Sequence, residues 1–129
     1  MVGALAALTS NFFFGQGMWT PWQMYAWGMV GYTGGALAHA GAFDRADGTV
    51  RMPALVAAGF ASGMLYGAII NVYDIVGFVQ PLTWAGAVAR LATAVPFDAV
   101  HGLSTSLFLA VLYRSWCHRI NRVVRKYGL

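Results

Sequence analysis

Residues 54–73 form a run of twenty without a single Asp, Glu, Lys, Arg or His. At about 1.5 Å per residue, a helix of that length spans roughly 30 Å, the thickness of a bilayer's hydrocarbon core. A second run, residues 22–43, contains one His, His39, and none of the four charged types. A water-soluble domain devotes about a quarter of its sequence to charge. Here Asp, Glu, Lys and Arg make up 9% of 129 residues, with no Glu and one Lys. That is too little charge to cover a globule. The chain is therefore expected to be all-α: a polytopic membrane helical bundle, with residues 1–129 as one integral membrane domain. About three full membrane helices and a partial N-terminal one are expected.

Pro, Gly and charge divide the chain. Residues 1–14 read as a partial helix, roughly 21 Å long and short of a full crossing. The chain is thus expected to be a fragment beginning inside a helix. Residues 15–21 form an aromatic loop in which Gly15, Gly17 and Pro21 turn the backbone between Phe12, Phe13, Phe14, Trp19 and Trp22. Pro21 suits the first helical turn and Thr20 its N-cap. Helices are expected over residues 22–43 and 54–73, joined by a hydrophilic loop (residues 44–53) with an Asp47-Gly48 turn. Gly31 and Gly35 make a small-x-x-x-small pair. Gly59, Gly63 and Gly67 repeat every four residues and predict a closer helix contact. Residues 74–96 read as an outer segment with a short helix. Pro96 is expected to open a last helix, residues 97–113, with Asp98 in its first turn. Residues 114–129 are a basic tail.

Charge sets the expected orientation. Seven of the eight basic residues (Arg45, Arg51, Arg114, Arg119, Arg122, Arg125 and Lys126) fall on one side of the proposed spans. The positive-inside rule makes that side, and the C-terminus, cytoplasmic in a multi-pass cell-membrane protein. The opposite, outer mouth gathers Asn11, Gln16, Trp19, Trp22, Gln23, Asn71, Tyr73, Asp74, Trp84, Arg90, Asp98 and His101. Small-molecule sites combine apolar and aromatic walls with a few placed polar groups. The same aromatics also suit an interfacial belt, but a belt leaves the amides of Asn11, Gln23 and Asn71 unexplained. Asp98, His101 and Thr105 share one helix face, as a cap with its partner or as ligand contacts.

Other chemistries fit poorly. Cys117 is the sole cysteine, which excludes an internal disulfide and a cysteine-based metal site. His39 and His118 fall toward the inner side and His101 toward the outer, an arrangement that reads poorly as the axial pair of one haem. No Ser has an evident base beside it. No cofactor or metal site is expected. The basic tail reads as a topology determinant touching anionic headgroups of the lipid bilayer rather than as a nucleic-acid site.

Two blocks carry a family resemblance. SNFFFGQGMWTPWQMYAWGMVG (residues 10–31) and PFDAVHGLSTSLFLAVLYRSW (residues 96–116), with a basic tail ending KYGL, resemble the substrate-binding S components of energy-coupling-factor (ECF) transporters. The family has six membrane helices, and this chain is similar to the C-terminal two-thirds of that fold. The resemblance implies uptake of a vitamin or related micronutrient, caught outside and passed inward. It implies partnership with a coupling transmembrane subunit and ATPase subunits, and no hydrolysis by this chain itself. The family's loops between helices three and four and between five and six help form the site; carried over, these are residues 16–23 and 74–98. The small-residue docking motif of the family's first helix has no counterpart here, and Thr105 stands where close relatives would carry Asn. An aromatic, amide-rich mouth with little net charge suits a flat heteroaromatic solute such as a flavin, pterin or corrinoid. A structural or assembly subunit with no solute of its own is the alternative. A membrane enzyme using Asp98 and His101 is a third reading, for which the sequence supplies no nucleophile.

Overall fold

The computed structural model describes residues 1–45 and 49–128; the Asp47-Gly48 turn lies outside them. Four helices follow in order: α1 (Val2–Phe14), α2 (Thr20–His39), α3 (Met52–Phe78) and α4 (Trp84–Tyr127). Among the described residues α1 packs on α2, α2 on α3, and α3 most extensively on α4. The bundle is thus an open row in chain order.

Two of these helices, α3 and α4, are long and apolar enough to cross a membrane. Their apolar windows are only 28% and 11% buried, unlike the core helix of a soluble protein. The accessible surface is 9155 Å², against roughly 6,700 Å² for a compact soluble protein of this mass. No large side chain is fully buried among the described residues. Ala, Gly, Ser, Thr and Asn make up most of the interior, joined by Leu55 and Phe43.

The α3–α4 seam shows how. A Cβ placed on Gly63 would lie 2.5 Å from the Gly102 Cα. One on Gly59 would lie 2.8 Å from Leu109 Cδ1 and 3.2 Å from the Ser106 Cα, and one on Gly67 would strike the Asp98 carboxylate. The four-residue glycine spacing therefore does what the sequence predicts: it removes side chains along one helix face so that two backbones approach. Polar clasps reinforce the seam. Ser106 Oγ donates to the Val56 carbonyl at 2.9 Å, and Asn71 Nδ2 donates to Asp98 Oδ2 at 2.9 Å.

The second glycine motif behaves differently. Gly31 meets only Val2 Cγ1 at 3.9 Å, and Gly35 has nothing within 4 Å. Close contact between α1 and α2 uses Gly3 instead, whose added Cβ would lie 2.5 Å from the Gly28 nitrogen.

Further boundaries differ from expectation. α3 runs on to Phe78, past residue 73, so Asp74 is helical and not part of an outer segment, and α4 continues through the basic stretch expected as a tail. α2 ends at His39, before residue 43, and Gly41 turns the chain at φ 73°. Pro96 opens no new helix: it lies inside α4, which runs unbroken for 44 residues. Proline removes one helical hydrogen bond and crowds the preceding turn. Here both flanks of the proline are held against the same helix. Arg90 pairs with Asp74 before it, and Asp98 lies on Asn71 and Gly67 after it. Docking on α3 overrides the local breaker. Asp98 is consequently an interior helix residue and not a first-turn cap. At the start of α4, Thr83 is the N-cap, its side chain accepting from the Gly86 nitrogen at 3.1 Å.

Candidate functional site

The connectivity brings four chain segments to one end of the bundle: the end of α1, the start of α2, the end of α3 and the start of α4. Gly15 terminates α1 with φ 87°, its N–H returning to the Asn11 carbonyl at 2.9 Å. Thr20 follows, but its hydroxyl does not cap α2. It accepts instead from the buried Asn11 Nδ2 at 2.8 Å and from the Gly17 nitrogen at 3.4 Å. A buried amide is a demanding donor, and it claims the hydroxyl from the exposed helix start. Asn11 thus staples α1 to the loop and stands behind the site. A side chain at Gly17 would displace the Trp19 ring from its present position.

Trp19, Gln23 and Trp27 recur every four residues and share one face of α2. On α3, Tyr66, Ile70, Tyr73 and Asp74 face them with helical spacing. Between these faces lies a groove of ≈ 260 Å³ lined by Trp19, Gln23, Ile70, Tyr73, Asp74 and Phe78. Tyr73 links two aromatic neighbours, Trp22 at 5.8 Å and Phe78 at 5.5 Å between ring centroids. Deeper in, Tyr66 stacks on Trp27 at 5.6 Å and meets the His101 edge at 4.9 Å. The buried Oε1 of Gln23 has no hydrogen-bond donor. Asn11 Oδ1 is likewise without one.

The twelve residues of the sequence constellation therefore separate into groups. Trp19, Gln23, Tyr73 and Asp74 line the groove. Trp22 and Arg90 adjoin it through Tyr73 and Asp74, His101 meets the deeper Tyr66, and Asn71 and Asp98 belong to the α3–α4 seam. Arg90 neutralises Asp74. Asp98 is bonded to Asn71 and not to His101, and the hydroxyl of Thr105 donates to the His101 carbonyl at 2.9 Å. Gln16 is exposed and Trp84 is 84% exposed, so neither reaches the groove. Ile70, Phe78, Trp27 and Tyr66 were missing from the constellation. Their signal was present as the four-residue spacing from Gln23 to Trp27 and from Tyr66 to Ile70. It reads as ordinary core packing until the two helices are placed face to face.

The groove offers an aromatic wall, an amide and a salt-bridged carboxylate. Rings, an amide and a neutralised carboxylate are the groups that could stack and orient a flat, weakly polar solute. No three His, Cys or Asp side chains gather as metal ligands among the described residues. The chain matches no known protein family, no curated protein and no solved structure.

Proposed function

We propose that this chain is the substrate-binding subunit of an ECF-type transporter, serving uptake of a vitamin or related micronutrient. The observation that carries the reading is the α2–α3 groove, where Trp19 and Tyr73 flank Gln23 and the paired Asp74. Stacking on the rings supplies most of the affinity for a heteroaromatic solute, with about 0.5–1.5 kcal/mol per aromatic pair beyond area burial. The Gln23 Oε1, lacking a donor, accepts a ring N–H. The groove end carries Arg90, Asp74 and Asp98, and the other seven cations lie toward the opposite end. By the positive-inside rule the groove faces outward and the C-terminus is cytoplasmic, in a multi-pass cell-membrane protein. A coupling transmembrane subunit and ATPase subunits complete the transporter, and this chain performs no chemistry.

The test is purification followed by calorimetry and mass spectrometry against water-soluble vitamins and corrinoids. Saturable binding that Trp19→Ala weakens about tenfold is expected. The reading fails if no such solute binds and no coupling subunit associates.

A second reading has its own observation. Phe12, Phe13, Phe14 and Met18 are 85%, 75%, 84% and 83% exposed beside the groove. As an assembly subunit, the chain would use that knob to grip another membrane protein. Phe12→Ser with Phe14→Ser then abolishes complex formation and leaves any solute binding unchanged.

A further inference from the structure

α4 outruns its partner. Gly67 lies on Asp98, Gly63 on Gly102 and Gly59 on Ser106, a fixed antiparallel register. Continued, it brings Met52, where α3 begins, level with Tyr113. Residues 114–127 therefore extend beyond the start of α3 by roughly 20 Å. The projecting part stays helical to Gly128, which closes it at φ 66°.

This projection is two-faced. The positions of α4 that face α3 include Gly102, Ser106 and Leu109. The same alternation of four and three continues through Tyr113, Trp116, Ile120, Val123 and Tyr127, the period of a helix–helix seam. Trp116, Ile120 and Val123 are 60%, 54% and 48% exposed. With Arg119 and Val124 they form one continuous, open apolar strip on the helix surface. Every charged residue of the projection is basic: Arg114, Arg119, Arg122, Arg125 and Lys126. Among the described residues none has a carboxylate partner.

We propose that residues 114–127 are a docking rail for one helix of a partner protein, stacked end to end with α3. That partner helix carries an apolar stripe flanked by Asp or Glu. Continuity with the α3 seam sets its position, and the surrounding cations set its charge. A second copy of the chain would bring five cations against five. A flat lie on the bilayer would require a sharp bend, yet no Gly or Pro occurs between Gly102 and Gly128 to make one. The inference does not rest on the solute-binding reading.

The test uses the full chain in phosphatidylcholine nanodiscs and a synthetic three-heptad peptide, Leu at its seam positions and Glu beside them. Micromolar binding by fluorescence anisotropy is expected. It should weaken at least tenfold for Ile120→Asp, with helicity unchanged by circular dichroism, and at least tenfold when Lys replaces Glu in the peptide. Arg119→Gln with Lys126→Gln, which leaves the apolar stripe intact, should weaken it severalfold. The proposal is overturned if the Glu peptide does not bind, or if Glu and Lys peptides bind alike. It is equally overturned if Cys117, beside the stripe, crosslinks between copies under mild oxidation. A fluorophore on Cys117 quenched by brominated lipid in phosphatidylglycerol nanodiscs would assign the rail to the membrane surface instead.

Discussion

Two glycine stripes in this chain look alike on paper and differ in space. Gly59, Gly63 and Gly67 of α3 are all buried against α4. Gly31 and Gly35 of α2 are exposed, with open space over Gly35. A small-x-x-x-small motif only permits close approach; it supplies no attraction by itself. What distinguishes α3 is the set of groups on the facing helix. Gly102 lets the backbones meet, Ser106 donates to the Val56 carbonyl, and Asp98 accepts from Asn71. α2 has no such complement over Gly35. The lesson is that helix association here depends on matched pairs across a seam.

Substitutions can break this contrast, beginning with the largest effect. Gly63→Val places a branched side chain against the Gly102 backbone, which cannot rotate away, and should cost about 3 kcal/mol or more. The expected readout is loss of monodisperse protein in detergent or a large drop in Tm. Gly67→Ala meets a side chain that can swing, but only by giving up the Asn71–Asp98 bond. It should cost about 1–2 kcal/mol, and a double-mutant cycle with Asp98→Ala should show coupling between the two positions. Ser106→Ala deletes one interhelical hydrogen bond, and about 0.6 kcal/mol is expected from equilibrium unfolding in mild detergent. Gly35→Ala should reverse the sign. With open space above it and an ordinary helical backbone, the added methyl gains about 0.5–1 kcal/mol of helix propensity. Comparable destabilisation by Gly35→Ala and Gly67→Ala would mean that the two stripes are equivalent after all.

The candidate site repeats the same division between pattern and placement. Trp19, Gln23 and Asp74 stood out in the sequence because aromatics, amides and carboxylates are conspicuous near the ends of apolar runs. Ile70 and Phe78, equally part of the groove wall, are indistinguishable by type from residues that face away. Trp84 shows the opposite error. It is conspicuous, but it stands exposed at the start of α4 and is not part of the groove lining. The amides diverged for a similar reason. Gln23 faces α3, whereas Asn11 is claimed by Thr20, nine residues ahead and across a turn.

The all-helical character of the chain and its apolar spans followed from composition and run length. So did the glycine face of α3 and the concentration of cations at one end. Those properties are local: they depend on how residues repeat along a single helix and on the cost of placing charge in hydrocarbon. The outcome at Pro96, the idleness of Gly31 and Gly35, and the unpartnered length of α4 were set elsewhere. Each depends on which helix lies opposite and where that helix stops. Pro96 is a breaker by its own chemistry, yet Arg90 and Asp98 on either side of it grip the same neighbour. A helix held at both flanks by one partner continues through a residue that would otherwise have ended it.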